Sequence, residues 1–181
     1  MDKNIQIMVL GNGNTGKTCL LLAYKKKEFD GTQVPTVIEN YPMEIMIDGK
    51  PQQMTIIDTG GQEDYDRLRQ SIYKDCNVFI VCYSVASRTS FDNVKDKWIK
   101  ELNYYWPNCI VILVATKSDL RQSMEGCIEK SEGLKMKKRI GAHDFVECSS
   151  KLMYNVNEVF EKAITAALRP KIVKKKFCVL L

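Results

Sequence analysis

The sequence predicts an α/β fold in which a mostly parallel sheet of six strands, one of them antiparallel, carries helices on both faces. Three observations predict this fold. Short apolar, β-branched runs of strand length alternate with helical segments along most of the chain. The first of these runs leads into a glycine-rich loop and then into a helix. Finally, Asp48-Gly49 lies between two strand-like segments and is typical of a two-residue hairpin turn, which makes one strand antiparallel.

In the first half of the chain, residues 5–10 form a buried strand and residues 19–24 a helix, with Lys25 to Lys27 suited to the negative end of its dipole. Residues 41–48 alternate in part between apolar and polar side chains, which predicts a strand, and residues 52–58 return as its partner.

In the second half, strands and helices alternate. Apolar runs predict strands at residues 78–83, 110–115 and 145–148, whereas helical segments are expected at residues 91–105 and 131–139. The last helix, at residues 157–168, carries its apolar side chains on one face, and Pro170 ends it.

Composition sets limits on the class of protein. The chain has 181 residues, of which 45% are hydrophobic and 27% charged, as in one soluble domain. Neither a signal peptide nor an apolar stretch of membrane-spanning length is expected, and seven cysteines without metal-ligand spacing suit a reducing cytosol. The net charge of +5 is concentrated near the C-terminus, so binding to nucleic acid is not expected.

The glycine-rich loop matches the pattern G-x-x-x-x-G-K-[ST], whose backbone N–H groups surround phosphates: Gly11-Asn12-Gly13-Asn14-Thr15-Gly16-Lys17-Thr18. In such a loop Lys17 reaches the β- and γ-phosphates, and the Thr18 hydroxyl binds Mg²⁺. A chance glycine-rich turn is the alternative. The strand before the loop and the helix after it favour a nucleotide phosphate site.

A second motif, Asp58-Thr59-Gly60-Gly61-Gln62, closes the third strand. Asp58 lies where such folds place a second carboxylate linked to Mg²⁺. The N–H of Gly61 could turn toward a γ-phosphate, and the amide of Gln62 could orient an attacking water. Taken alone, an aspartate followed by glycines often forms only a turn and has no role in metal binding.

Two further motifs concern the base. Thr116-Lys117-Ser118-Asp119 follows a strand, and the Asp119 carboxylate can accept both the N1–H and the exocyclic amine of guanine, a donor pair that adenine lacks. The segment Ser149-Ser150-Lys151 could bring a backbone N–H to the guanine O6. Either motif alone could be an ordinary loop, but the order and spacing of the whole set are specific.

Taken together, GxxxxGKT, DTxGQ, TKxD and CSxK, with residues 34–41 between the first two, resemble the Ras superfamily of small GTPases. The segment from Gly61 to Arg69 resembles the Rho family in particular. The resemblance covers the whole chain. It implies a P-loop NTPase G domain at residues 1–169 and a tail at residues 170–181, with GTP and GDP as substrate and product and Mg²⁺ as cofactor.

The resemblance also implies roles for individual residues. Those at the nucleotide are Asn12, Gly13, Asn14, Thr15, Gly16, Lys17, Thr18, Cys19, Phe29, Thr36, Gly61, Thr116, Lys117, Asp119, Ser149, Ser150 and Lys151. Thr18 and Thr36 would bind the metal directly and Asp58 through water. Catalysis would use Gln62, Lys17, Gly61 and Gly13, the last leaving room for the arginine of an activating protein.

Two loops, switch I (residues 29–41) and switch II (residues 60–69), would change with the nucleotide. Their effector and regulator contacts would be Val37, Ile38, Glu39, Asn40, Tyr41, Tyr65, Asp66, Arg67 and Leu68. The implied partners are exchange factors, GTPase-activating proteins, a GDI-type carrier and effectors such as kinases or formins. The implied function is a GTP-hydrolysing switch that recruits effectors at membranes, with signalling to the actin cytoskeleton.

The sequence departs from the Rho pattern at four places. Gln33 replaces a tyrosine, Gly60 an alanine and Ile57 an aromatic residue that exchange factors read. Gly60 adds backbone freedom, from which we expect slower or looser hydrolysis. The segment between Asp119 and Ile140 is too short for the additional Rho helix, so residues 121–127 are expected to be a plain connection. A Ras- or Rab-like placement therefore stays open.

The C-terminus ends in Cys178-Val179-Leu180-Leu181, a C-a-a-X signal whose final leucine favours geranylgeranyl. A lipid on Cys178 together with the nearby lysines would anchor the chain to the cytoplasmic face of the plasma membrane. A lysine run alone would more often be a solvated tail or a nuclear signal. We therefore expect a cytoplasmic protein anchored by a prenyl group, with association with the cytoskeleton.

Two other functions remain open. The chain could be a GTP-loaded scaffold that hydrolyses little because of Gly60 and Gln33, although Gly13 and Gln62 oppose this. A P-loop kinase or ATPase is opposed by the guanine motif around Asp119. His143, the only histidine, is expected to be structural.

Overall fold

The strands form one six-stranded sheet in the order β2-β3-β1-β4-β5-β6 in a computed structural model that describes residues 4–31, 36–61 and 65–168. The pair β2 and β3 is antiparallel, and all other neighbouring pairs are parallel. The predicted fold class is confirmed. The strands are β1 Ile5–Gly11, β2 Ile38–Ile47, β3 Lys50–Thr59, β4 Val78–Ser84, β5 Ile110–Thr116 and β6 Asp144–Glu147.

The described residues also contain α-helices on both faces of the sheet. They are α1 Lys17–Lys26, α2 Asp66–Ser71, α3 Arg88–Asn93, α4 Lys100–Tyr105, α5 Lys130–Ile140 and α6 Val156–Leu168. A π-helical segment, Val94–Ile99, joins α3 to α4, and short 3₁₀ helices lie at Tyr73–Asp75 and Ser118–Gln122.

Several bounds differ from the predicted ones. The strand expected at residues 41–48 begins at Ile38, because pairing with β3 extends as far as Thr59. The helix expected at residues 91–105 begins at Arg88, where the Ser87 hydroxyl accepts a hydrogen bond from the Ser90 N–H (3.2 Å), and contains the π-helical segment. The short helix α2 was not predicted.

The hairpin turn and the short connection agree with prediction. Asp48 (φ 49°) and Gly49 (φ 75°) both have positive φ, as a type I′ turn requires. Between the 3₁₀ helix Ser118–Gln122 and α5 there is no additional helix, as expected. The Arg121 guanidinium closes this connection by donating to the Ile128 carbonyl (2.7 Å) and to Glu147 (2.5 Å).

Alternate side chains of the sheet pack into two cores. Ile7 and Val9 of β1 face the layer of α1 and α6, whereas Met8 and Leu10 face the layer that contains Trp98 of the π-helical segment. Because both faces are covered, the parallel strands are apolar throughout rather than alternating. No helix in the described ranges is long and apolar enough to cross a membrane.

The parallel arrangement determines where a site can form. β1, β3, β4, β5 and β6 run in one direction, so their carboxyl ends lie at one edge of the sheet. The four nucleotide motifs lie at or directly after the carboxyl ends of β1, β3, β5 and β6. The predictions on Gln33, Gln62 and the tail with Cys178 lie outside the described residues, and the division at residues 169 and 170 stays a prediction.

Candidate nucleotide-binding site

The glycine-rich loop joins β1 to α1 in a conformation that needs its glycines. Gly11 has a φ of 144°, and a Cβ there would lie 2.4 Å from the Cys82 carbonyl oxygen. Gly16 (φ 84°) is the residue before α1, so the first N–H groups of the ten-residue helix open onto the loop. The loop therefore offers backbone donors and a helix N-terminus to an anion.

The ammonium group of Lys17 lies inside this loop. Its Nζ donates to the carbonyl oxygens of Gly11 and Asn12, both at 2.9 Å, and the residue is only 6% exposed. Burial lowers the pKa of Lys17, an effect that the charge of Asp58 opposes. The side chain is thus placed where it can transfer its hydrogen bonds to phosphate oxygens.

Three oxygen ligands meet beside Lys17. The buried Asp58 Oδ2 accepts from the hydroxyls of Thr18 (2.6 Å) and Thr36 (3.4 Å), and those two hydroxyl oxygens are 3.0 Å apart. Burial raises the pKa of Asp58, while the two hydroxyls and Lys17 oppose the shift. The Asp58 Oδ1 is buried without a hydrogen-bond partner among the described residues.

This oxygen cluster fits Mg²⁺. Hydroxyl and carboxylate oxygens are hard ligands, and an orphaned buried carboxylate oxygen is an acceptor for a metal-bound water. The described part of the chain has no group of three His, Cys, Asp or Glu side chains that could hold a metal. The hydroxyl oxygens of Thr18 and Thr36 are the groups that could bind a metal beside Asp58.

A cavity of about 270 Å³ lies next to the loop and gathers the residues predicted to hold a base. It is lined by Gly16, Cys19, Phe29, Thr116, Lys117, Asp119, Leu120, Ser150 and Lys151. The Lys117 Nζ donates to the Asn14 carbonyl oxygen (2.7 Å), and the Thr116 hydroxyl donates to that of Thr15 (2.5 Å). These bonds fix the base motif to the phosphate loop.

Ser149 has a role that the sequence did not indicate. It is fully buried, and its hydroxyl donates to Asp119 Oδ1 at 2.6 Å. That bond orients the carboxylate toward the cavity. The sequence places Ser149 only among the nucleotide contacts, because nothing in the spacing of residues 119 and 149 indicates that their side chains meet.

Most of the predicted effector contacts lie on the surface. Val37 and Leu68 are 44% and 53% exposed, Glu39, Asn40 and Arg67 are also exposed, and Ile38, Tyr65 and Asp66 are half-buried. Tyr41 is the exception among them: it is only 8% exposed, because alternate side chains of β2 face the core beside α1. Tyr41 therefore contributes little side-chain surface.

Gly60 and Gly61 are glycines because other groups approach them closely. A Cβ on Gly61 would lie 2.4 Å from the Gly13 nitrogen, and one on Gly60 would lie 2.4 Å from the Thr36 carbonyl oxygen and 2.8 Å from the Tyr65 ring. The Gly60 N–H donates to the Val37 carbonyl oxygen (2.7 Å). Gly60 therefore joins the two switches by close contact, and the backbone freedom expected from the sequence stays a prediction.

A phosphate loop at a helix N-terminus, an oxygen cluster beside it and a base cavity at the same sheet edge define a nucleotide-binding protein of the P-loop class. The family profile of the Ras family matches residues 6–169. The chain is 44% identical to the Ras-like GTP-binding protein RhoL of Drosophila melanogaster over 98% of this chain and 94% of the relative.

Two other relatives are also Rho-type GTP-binding proteins. The GTP-binding protein RHO1 of Candida albicans is 44% identical over 97% of this chain and 95% of its own length. The human Rho-related GTP-binding protein RhoB is 41% identical over 96% of this chain and 94% of its own length. The chain belongs to the Ras family and, within it, to the Rho-type small GTPases.

The contact at Gly60 generates a prediction for Gly60→Ala. The added methyl group must displace the Thr36 carbonyl or the Tyr65 ring, so we expect the Gly60 N–H bond to Val37 to open. Amide hydrogen exchange of the peptide that contains residue 60 should accelerate by about fivefold or more, the amount expected from loss of one hydrogen bond.

Lys135→Ala is the control, because Lys135 is exposed on α5 and lies outside both switches. Equal exchange of the peptide that contains residue 60 in the wild type, Gly60→Ala and Lys135→Ala would contradict the close contact.

Proposed function

We propose that this chain is a Rho-type switch that binds GTP with Mg²⁺, hydrolyses it and recruits effectors while GTP is bound. The observation that carries the proposal is the meeting of the phosphate loop, the Asp58 cluster and the base cavity at one edge of the sheet. Family membership supports the same conclusion.

The phosphates and the metal would be held by groups that already lie together. Backbone N–H groups of the loop and the Lys17 ammonium would bind the phosphates. The hydroxyls of Thr18 and Thr36 would bind Mg²⁺ directly, and Asp58 would bind it through water. When bound, the ion supplies positive charge to the phosphate oxygens.

The guanine base would be selected by Asp119. A carboxylate oriented by Ser149 offers acceptors for two donors of guanine, and adenine lacks that pair of donors. Phe29, which lines the cavity and is 40% exposed, would cover the base from the edge of switch I.

Hydrolysis needs positioning and charge stabilisation rather than a covalent residue. We propose that the Gln62 amide orients the attacking water. A Cβ on Gly13 would meet nothing within 4 Å, so the loop leaves open space where an activating protein's arginine could approach. Without that arginine, hydrolysis is expected to be slow.

The switching element would be the contact between the two switches. Thr36 and Val37 of switch I touch Gly60 of switch II, and Gly61 touches the phosphate loop. A γ-phosphate would stabilise this arrangement, and its loss would release both loops. Exchange factors, activating proteins and effectors such as kinases or formins would read these loops.

A second candidate is a GTP-loaded scaffold that hydrolyses little and is controlled by exchange or turnover. The substitutions Gln33 and Gly60 favour it. The slower hydrolysis expected from Gly60 stays a prediction, and comparing Gly60→Ala with the wild type in the assay below tests it.

The experiment is single-turnover hydrolysis of GTP labelled at the γ-phosphate, with and without a Rho-type activating protein. We expect slow intrinsic hydrolysis and an acceleration of about 10³–10⁵-fold by the activating protein. Gln62→Leu should abolish the acceleration because leucine cannot orient water.

Gln70→Leu makes the same chemical change in α2 outside the nucleotide motifs and should behave as the wild type. If the wild type and Gln62→Leu hydrolyse equally slowly and the activating protein has no effect, the cycling switch is wrong and the scaffold is favoured.

We also propose that Cys178 carries a geranylgeranyl group and that the lysines beside it hold the chain at the cytoplasmic face of the plasma membrane. The support is the C-a-a-X sequence and the four lysines at positions 171, 174, 175 and 176. A soluble GDI-type carrier would then be needed to shield the lipid.

A Cys178→Ser variant tests the anchor. In cell fractionation we expect the wild type mostly in membranes and Cys178→Ser in the soluble fraction, because a serine cannot be prenylated. Cys127→Ser, a change in the folded domain, should leave the distribution unchanged. Equal membrane association of Cys178→Ser and the wild type would refute lipid anchoring at this residue.

A further inference from the structure

We infer that Trp98 is a positioning residue that holds the start of switch II against the phosphate loop and thereby favours nucleotides that carry a γ-phosphate. The inference rests on the proposed binding of GTP and concerns a residue outside every nucleotide motif in the sequence.

The first contact is between Trp98 and the phosphate loop. Trp98 lies in the π-helical segment Val94–Ile99 and is fully buried, and its Nε1–H donates to Asn12 Oδ1 at 2.8 Å. The Asn12 carbonyl oxygen also accepts from Lys17 Nζ (2.9 Å) and Thr15 Oγ1 (2.8 Å). Trp98 thus helps to hold the same loop residue whose carbonyl holds Lys17.

The second contact is between Trp98 and switch II. The guanidinium carbon of Arg69 lies 4.8 Å from the centroid of the Trp98 ring, within the range of a cation–π interaction. Arg69 is fully buried, and its Nη1 reaches the Gly60 carbonyl oxygen at 3.4 Å. The indole therefore lies between the phosphate loop and the arginine that contacts the first residue of switch II.

The buried arginine is held in a single arrangement. Its Nη2 is 2.5 Å from Asp66 Oδ1 and 3.1 Å from Glu101 Oε1, and its Nε is 3.0 Å from the Tyr73 hydroxyl. Two carboxylates compensate the buried charge, which would otherwise be costly. Because Arg69 cannot swing away without losing these bonds, it couples the position of the Trp98 ring to that of Gly60.

A direct contact between Gly61 and the phosphate loop turns these interactions into a closed loop of contacts. Gly61 packs on the peptide between Asn12 and Gly13, where an added Cβ would lie 2.4 Å from the Asn12 carbonyl carbon. The contacts therefore form a closed loop: Asn12 contacts Trp98, Trp98 contacts Arg69, and Arg69 contacts Gly60, whose neighbour Gly61 packs on Asn12. This closed loop of contacts fixes the backbone of Gly61, the group proposed to donate its N–H to a γ-phosphate.

These contacts should affect the binding of GTP more than the binding of GDP. GTP would use both the phosphate loop and Gly61, whereas GDP has no group that reaches Gly61. Weakening this closed loop of contacts should weaken the binding of a GTP analogue and leave the binding of GDP nearly unaffected. A residue that only fills the core would destabilise both complexes alike.

The experiment measures dissociation of fluorescent mant-GDP and mant-GppNHp, in Mg²⁺ with excess unlabelled GDP, from Trp98→Phe. Phenylalanine keeps an aromatic ring beneath Arg69 but removes the N–H. We expect mant-GppNHp to dissociate about threefold to tenfold faster, as for one lost buried hydrogen bond, while mant-GDP changes by less than about twofold.

Asn12→Ala removes the acceptor of the same hydrogen bond. Because Asn12 is only half-buried, this variant keeps the test informative if Trp98→Phe folds poorly. It should raise the ratio of the two rates similarly, and the double variant should add little to either single change. Trp106→Phe, the same substitution at the other tryptophan, is the control and should match the wild type.

Equal acceleration of both nucleotides, or no change in either, would overturn the role assigned to Trp98. Failure of the wild type to bind either fluorescent nucleotide would overturn the proposed function itself, so the two failures are distinguishable.

Discussion

The hydrogen bond between the Thr18 hydroxyl and the Asp58 carboxylate is the interaction on which the rest of the site depends. It joins the first turn of α1 to the end of β3, and the pairing of Val9 with Asp58 fixes its place in the sheet. A fully buried carboxylate is costly unless other groups compensate it. Lys17, Thr18 and Thr36 provide that compensation, so the phosphate loop, the first turn of α1 and switch I converge on one side chain.

The sequence predicts those features of the structure that depend on residues close together in the chain. The β1 run, the glycine-rich loop and the Asp48-Gly49 turn are each determined by neighbouring residues, and the structure contains them as expected. The contacts of Trp98 with Asn12 and of Ser149 with Asp119 join residues 86 and 30 positions apart. They arise from packing between elements, and no periodicity or spacing in the sequence indicates them.

The departures from the Rho pattern have physical consequences. Ile57 is only 4% exposed and packs in the core with Met8 and Leu10, so this side chain offers little surface to an exchange factor. Arg121 closes the short connection before α5 through Glu147 and Ile128, which replaces an added helix by a hydrogen-bonded loop. The regulators and effectors of this chain should therefore rely on the two switches more than on those surfaces.

Thr18, Thr36 and Asp58 would together form a magnesium site that holds the nucleotide, and the dissociation of mant-GDP with and without EDTA measures whether they do. We predict that chelation accelerates dissociation from the wild type by at least about tenfold, since a charge-assisted contact is worth about 1.5–3 kcal/mol. Thr18→Ala should dissociate fast under both conditions, whereas Thr55→Ala in the hairpin should behave as the wild type. Dissociation from the wild type that is insensitive to EDTA, or full sensitivity in Thr18→Ala, would show that these residues do not form a magnesium site.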